Sequence, residues 1–289
     1  MSNFRITSTD DKCYSINFLG EGSIDAGGPF RDSLTNIAEE LESGVAPILI
    51  RTPNNRNEHG INRDCFIIDS RSSTPAHKTM LRYFGGFLAF AFLSKSPMPF
   101  NLAPWVWKQL VEEELTLNDL EGIDAYTAQV LRDLQQHAQT LSDEDFEAGV
   151  EQFFTTVLSS GEEVPLCEGG ETIRVTKNNI DEFIAKVLET RRNEGALQIS
   201  IIREGFQTVV PANISFIFDL LNWSTMEARC TGEKHISIER LKSITTFPNN
   251  PADHEVIPRF WRVFEAWSDV ERSAYLKFVW GRSRLPIDL

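Results

Sequence analysis

The sequence predicts a predominantly helical α+β protein. Three features carry that reading: apolar residues recur at helical spacing through most of the chain, only a few short runs look like strands, and glycine and proline punctuate the joins. The first join is the most pointed. Tyr14, Ile16 and Phe18 alternate with Ser15 and Asn17, the period of a half-buried strand. Phe30, Leu34, Ile37 and Leu41 then share one helical face, with Gly44 placed to end the helix. Between the two lies a glycine-rich turn whose Pro29 suits a first helical position. Such a turn suggests phosphate binding, but these residues argue against it. Gly22 and Gly27 have P-loop spacing, yet Gly28-Pro29 stands where Lys-Ser/Thr is needed. Asp25 takes the place of the third glycine of a dinucleotide fingerprint, and its carboxylate would repel a phosphate.

The chain from 44 to 78 is polar and irregular apart from two short apolar runs, 47–50 and 65–68, which read as strands joined by 51–64. Residues 80–93 are apolar on nearly every face and predict a helix buried on all sides. Gly85-Gly86 lowers its helicity but lets a neighbouring backbone pack closely. Pro97, Pro99 and Pro104 break the chain before a shorter helix at Trp105-Val-Trp107. Val130, Leu131 and Leu134 form a stripe on a helix beginning near Asp124. Residues 150–158 read as a strand, and 164–175 as a hairpin turning at Gly169-Gly170. Thr176 can cap a helix along which Ile180, Phe183, Ile184, Val187 and Leu188 share a face. Leu197, Ile201, Ile202, Phe206 and Val209 make a further stripe, ended by Pro211, and Val256, Ile257, Phe260, Trp261, Phe264 and Trp267 another. Ser268-Asp-Val-Glu271 is a capping box for a last helix running to Gly281.

Composition limits the function. The N-terminal residues lack the apolar stretch of a signal peptide, and the longest apolar run, 84–93, is too short to cross a bilayer, so no membrane is expected. Cys13, Cys65, Cys167 and Cys230 are far apart with no CxxC pair, which favours reduced thiols in the cytosol over disulfides or a zinc site. No metal or other cofactor is called for. A net charge of −14 would repel nucleic acid. That charge is concentrated: residues 112–171 hold 16 acidic side chains and one basic, Arg132. So lopsided a block predicts a separate subdomain that meets a basic partner.

Several motifs then point one way. Gly-Ser-Ile-Asp-Ala-Gly-Gly-Pro-Phe-Arg at 22–31 resembles the opening of the HECT domain of ubiquitin-protein ligases. So do Phe84-Gly-Gly-Phe-Leu-Ala-Phe-Ala with Met98-Pro-Phe100, Trp107-Lys108, and Leu115-Thr-Leu-Asn-Asp-Leu120 followed by Asp124. Arg203-Glu-Gly-Phe206 before Val210-Pro211, then Phe260-Trp261, Glu271-Arg272 and the run 276–286, follow in the family's order.

The resemblance implies the N-lobe of such a domain. Its large sublobe would span 1–110 and 193–289, and its small sublobe 111–192 would bind a ubiquitin-conjugating enzyme that carries ubiquitin as a thioester. By position, the family's contacts to that enzyme fall on Leu131, Leu134, Phe183 and Val187, where Val187 departs from an expected aromatic. The family passes ubiquitin to a cysteine in a Leu-Pro-x-Ala-x-Thr-Cys-Phe stretch of a smaller C-lobe. No cysteine of this chain follows a threonine, so the catalytic C-lobe is expected to lie outside these 289 residues and the chain alone to be inactive. The contrasting expectation is a scaffold that keeps the fold without ligase work.

Overall fold

A computed structural model describes residues 14, 20, 27–94, 96–210, 220–246, 255–285 and 287. The strand expected through Tyr14, Ile16 and Phe18 and the stop at Pro211 lie outside the described residues, Tyr14 excepted. In chain order the elements are α1 (Gly28–Glu42), β1 (Leu49–Arg51), α2 (Pro53–Arg56), β2 (Phe66–Ile68), α3 (Pro75–Leu93), α4 (Pro104–Leu110), α5 (Leu117–Glu121), α6 (Ala125–Thr140) and α7 (Asp143–Gly149). They continue with β3 (Thr155–Val157), β4 (Glu163–Pro165), α8 (Ile180–Asn193), α9 (Ala196–Val209), α10 (Trp223–Thr231), α11 (Ile238–Ile244), α12 (Val256–Ala266) and α13 (Asp269–Trp280). The chain is therefore predominantly helical α+β, as the periodicities predict. Its described sheets are two antiparallel pairs, β1–β2 and β3–β4.

Contacts gather the chain into two compact units. One comprises Met1–Glu40, Leu88–Phe100 and Glu227–Leu289, the other Leu41–Phe87 and Asn101–Met226. These boundaries differ from the expected 111–192 sublobe, which falls whole inside the second unit.

In the second unit β1 and β2 pair with Leu49 opposite Ile68 and Arg51 opposite Phe66. The connection between them, expected to be irregular, contains α2, because the Thr52 hydroxyl accepts from Asn55 N at 3.2 Å and Pro53 starts the turn. Asn54, 2% exposed, holds this connection to the start of α6: its amide nitrogen donates to Ile61 O and Glu121 O, both at 3.0 Å, and its oxygen accepts from Ala125 N at 2.7 Å.

Helix α3 begins five residues before the apolar run. Its polar first turn is capped by the Thr74 hydroxyl, which accepts from His77 N at 3.2 Å. Nor is it enclosed along its whole length, since Met80 and Tyr83 are 40% and 65% exposed. The close approach expected at Gly85-Gly86 occurs at Gly85 alone. A Cβ there would lie 1.9 Å from Ile202 O on α9, and one at Gly205 would lie 2.0 Å from Arg82 O on α3. Gly86 has nothing nearer than 3.7 Å. The two helices thus touch backbone to backbone, which no residue with a side chain permits.

The acidic segment departs most from its sequence reading. The hairpin is β3–β4, with Thr156 opposite Val164, and it turns through Gly161, whose φ of +90° suits glycine. Gly169-Gly170 instead opens a single 3-10 turn. Asn179, not Thr176, occupies the position before α8, and its side-chain oxygen accepts from Thr176 N at 2.7 Å. Leu197, expected on the α9 stripe, is 50% exposed.

In the first unit Ile236, Leu241, Ile257, Trp261, Phe264, Leu276 and Leu285 form the core that α11, α12 and α13 share. The rings of Phe260, Trp261, Phe264, Trp267 and Tyr275 stack at 5.0–6.1 Å within it. Val256, at 58% exposed, is outside that stripe. The capping box forms: the Ser268 hydroxyl accepts from Glu271 N, and the Glu271 carboxylate accepts from Ser268 N at 2.8 Å. These bonds from the Ser268 backbone and hydroxyl hold Glu271 below the usual carboxylate range. Gly281 ends α13 at φ +70°.

The glycine contacts give a prediction. Gly85→Ala and Gly205→Ala should each lower unfolding stability by about 2–3 kcal/mol or more through overpacking. Gly86→Ala, on the same helix and unobstructed, should raise it by about 0.5–1 kcal/mol. Urea unfolding of the three variants decides; equal effects at 85 and 86 would contradict the close approach.

Candidate functional site

The acidic segment is assembled around one guanidinium. Arg191, near the end of α8, has a side chain 0% exposed. Its Nη1 donates to Asp124 Oδ2 at 2.8 Å and to Val157 O at 3.1 Å, its Nη2 to Ser159 Oγ at 3.0 Å, and its Nε to Glu194 Oε2 at 3.1 Å. Each partner has a further duty. Asp124 caps α6 by accepting from Thr127 N at 3.1 Å, and Glu194 accepts from Ser159 N at 2.7 Å where β3 leaves for its turn. One side chain therefore ties the start of α6, the end of β3 and the end of α8. A buried charge costs several kcal/mol to desolvate, so two carboxylates and two neutral oxygens are what such a position needs.

Several other described cations in or beside the segment also serve internal bonds. Lys108 Nζ lies 2.8 Å from Asp119, Arg132 2.6 Å from Glu121, and Lys177 2.9 Å from Asp143. Arg174 donates to Val150 O at 2.7 Å and to Glu147 O. Desolvation acts to raise Asp119, but the bonds from Lys108 and Thr116 outweigh it and hold the carboxyl below its usual range. With those cations engaged, the outer surface keeps an exposed acidic rim that includes Glu151, Glu162, Glu168 and Glu171.

The four sequence-predicted contact residues are brought together, but inside. Leu131 and Leu134 on α6 are 2% and 7% exposed, and Phe183 and Val187 on α8 are 2% and 1%. The Phe183 ring meets Phe154 edge-on at 5.5 Å. What reaches solvent is the next side chain along. Phe153 is 40% exposed, Val157 48% and Ile173 38%. Phe153 and Val157, an even number of residues apart in the extended segment, share one face, whereas Ile173 follows the face of Phe154, since Phe153 bridges Arg174 and Phe154 N donates to Ile173 O at 2.9 Å. The signal for them was present: adjacent phenylalanines in an extended segment must point to opposite faces, so one of Phe153 and Phe154 faces out.

The described thiols differ in exposure. Cys65 and Cys230 are buried, Cys167 is partly exposed, and Cys13 lies outside the described residues. The Cys230 Sγ donates to Leu88 O at 3.5 Å, and burial pushes its thiol far above the ordinary range. Among the described residues no group of His, Cys, Asp and Glu could hold a metal ion. No described helix is long and apolar enough to cross a membrane.

Removing the guanidinium alone should be costly. Arg191→Met leaves Asp124 and Glu194 buried without a counter-charge and should cost about 3–5 kcal/mol. The triple change Arg191→Met, Asp124→Asn, Glu194→Gln should recover most of that loss in urea unfolding. A triple variant as unstable as the single one would mean that shape, not charge balance, sets the cost.

Comparison with known proteins places this architecture. The family model described as "HECT-domain (ubiquitin-transferase)" matches residues 43–288. The chain is 35% identical to E3 ubiquitin-protein ligase HERC2 of Homo sapiens over 95% of its own length and 6% of that protein's. It is 26% identical to probable E3 ubiquitin-protein ligase HECTD4 of Homo sapiens over 98% of its length and 8% of that protein's. It is 23% identical to E3 ubiquitin-protein ligase RSP5 of Emericella nidulans over 94% and 32%. The chain thus spans from under a tenth to about a third of the length of these relatives. The ordered motifs, the helical α+β fold and the match over most of the residues agree: this chain belongs to the HECT-domain ubiquitin-transferase family.

Proposed function

We propose that this chain is the recruiting lobe of a HECT-type ubiquitin ligase, which holds a ubiquitin-charged conjugating enzyme while ubiquitin passes to an acceptor cysteine outside these residues. The observation that supports this most is the exposed apolar pair Phe153 and Val157 in segment 111–192, whose surface also exposes Glu151, Glu162, Glu168 and Glu171. An apolar centre within a charged rim is the usual anatomy of a specific interface: the centre supplies affinity, the rim speeds encounter with a basic partner. Leu131, Leu134, Phe183 and Val187 act in this reading as positioning residues. They pack behind the edge and fix where Phe153 stands. The sublobe division at 111–192 belongs to the same proposal, with Arg191 as its internal clamp. The buried Cys65 and Cys230 support an acceptor supplied from elsewhere, and they equally suit a scaffold without ligase work. Binding of a charged conjugating enzyme separates the two.

The buried and exposed phenylalanines should behave oppositely. Phe153→Asp should weaken binding of a ubiquitin-charged conjugating enzyme by about 2 kcal/mol or more and leave the unfolding midpoint nearly unchanged. Phe183→Ala should destabilise the fold by about 3–5 kcal/mol. Glu168→Gln with Glu171→Gln should slow association chiefly at low salt, because screening beyond ~10 Å already removes the effect at moderate salt. Full affinity in folded Phe153→Asp protein would reject the edge as the contact, and absence of binding by the parent chain would favour the scaffold.

The acceptor reading has its own check. Incubation of the chain with charged conjugating enzyme, followed by a non-reducing gel, should show no ubiquitin adduct that reductant removes. Such an adduct, lost on Cys167→Ala, would overturn it.

A further inference from the structure

The connection between β1 and β2 contains a run of left-handed backbone. Glu58, Gly60 and Asn62 take φ of +51°, +79° and +52°, and only the middle one is glycine. Such backbone persists where its surroundings over-determine it, and here they do. The Thr52 hydroxyl donates to Asn62 O at 3.2 Å and Asn55 Nδ2 to Arg63 O at 2.7 Å, which closes the loop on itself. Asn62 Nδ2 donates to Gly122 O at 3.0 Å, and a Cβ built at Gly60 would lie 2.8 Å from the Ala125 Cβ. The loop is therefore pressed against the turn that opens α6.

Asn54 is the joint between loop and turn. Its amide nitrogen donates to Ile61 O in the loop and to Glu121 O in the turn, and its oxygen accepts from Ala125 N. The residue before Ala125 is Asp124, whose carboxylate lies 2.8 Å from Arg191 Nη1, and that same nitrogen donates to Val157 O at 3.1 Å. A chain of buried polar contacts thus runs from Asn54 through the start of α6 and Arg191 to β3. The loop also reaches the hairpin directly, since a Cβ built at Gly161 would lie 3.9 Å from Arg56 Nη1. Asparagine is what the joint requires. Aspartate lacks the two donors, and leucine of similar volume leaves two carbonyls and one N–H without partners.

We propose that Asn54 is a positioning residue for ubiquitin transfer: acting through Asp124 and Arg191, it sets where β3 stands and so where the Phe153 and Val157 edge is presented, a role that rests on the reading of that edge as the contact for a conjugating enzyme. Asn54 touches neither the edge nor any partner. Its effect travels because each link is buried and geometrically strict, so a shift at the α6 turn moves the Asp124 carboxylate, and the guanidinium that follows it also holds Val157 O. The edge is then held from two sides, by α8 through Arg191 and by the strained loop through Asn54.

The test uses the whole chain and reads amide hydrogen exchange before any partner is added. Asn54→Leu keeps the volume and removes the bonds; amides of residues 155–158 and 162–164 should then exchange at least about fivefold faster than in the parent. Asn62→Gly is the independent second variant. Glycine suits that left-handed backbone, so the fold persists while the bond to Gly122 O is lost, and the same amides should exchange about twofold faster. Phe264→Leu, a core change in the first unit, controls for general destabilisation and should leave those amides unchanged. Ubiquitin-charged conjugating enzyme is then added: Asn54→Leu should bind it severalfold more weakly, and Phe264→Leu as the parent does. Hairpin amides as slow in both asparagine variants as in the parent would overturn the positioning role, whatever the partner does. Faster hairpin exchange with undiminished affinity would instead overturn the edge as the contact.

Discussion

The bond between Arg191 and its two carboxylates is the constraint on which the acidic segment depends. Sixteen acidic side chains within residues 112–171 repel one another, and a surface of that kind needs an internal counter-charge to remain compact. Arg191 supplies it from α8, outside the acidic run, and reaches back to Asp124 at the start of α6. Because the same guanidinium also bonds Val157 O and Ser159 Oγ, the hairpin cannot shift without breaking a buried charge-assisted bond. The β3–β4 pair is short, three residues on each strand, and two such strands alone are marginal in water. Their position comes from Arg191 on one side and from Phe154 against Phe183 on the other. The outward stance of Phe153 follows from those two anchors and the alternation of the strand.

The two anchors also explain a division of labour. Hydrophobic packing of Leu131, Leu134, Phe183 and Val187 supplies cohesion, and the ionic clamp supplies register. Cohesion tolerates exchange between side chains of similar volume; register does not, since a buried carboxylate left alone is penalised at once. Such rigidity suits the proposed recruiting role, because a preordered apolar edge loses little entropy when a partner covers it.

Much of the fold could be read from the sequence, and where the reading failed the reason was local. Helices with wide apolar stripes, α3, α8, α9 and α12, were visible in their periodicity, as were the cap at Ser268 and the stop at Gly281. The start of α3 was hidden because Pro75-Ala-His-Lys-Thr79 is polar and its cap comes from Thr74, a signal that apolar spacing does not carry. The hairpin was assigned to Gly169-Gly170 because paired glycines are the stronger turn signal; the true turn at Gly161 is reached through Ser159, whose hydroxyl is committed to Arg191. That commitment spans 32 residues and leaves no local trace. The site was legible in outline only. The charge block marks the segment, but a helical stripe does not say whether it faces its own core or a partner; Leu131, Leu134, Phe183 and Val187 are buried on α6 and α8.

The central claim is that the edge formed by Phe153 and Val157 is where a charged conjugating enzyme is received. Hydrogen exchange of backbone amides, with and without a ubiquitin-charged conjugating enzyme, addresses it without any substitution. Added protection should be concentrated in residues 151–175, including amides beside Phe153 and Val157. Protection confined to residues outside 111–192, with exchange across 151–175 unchanged, would contradict it.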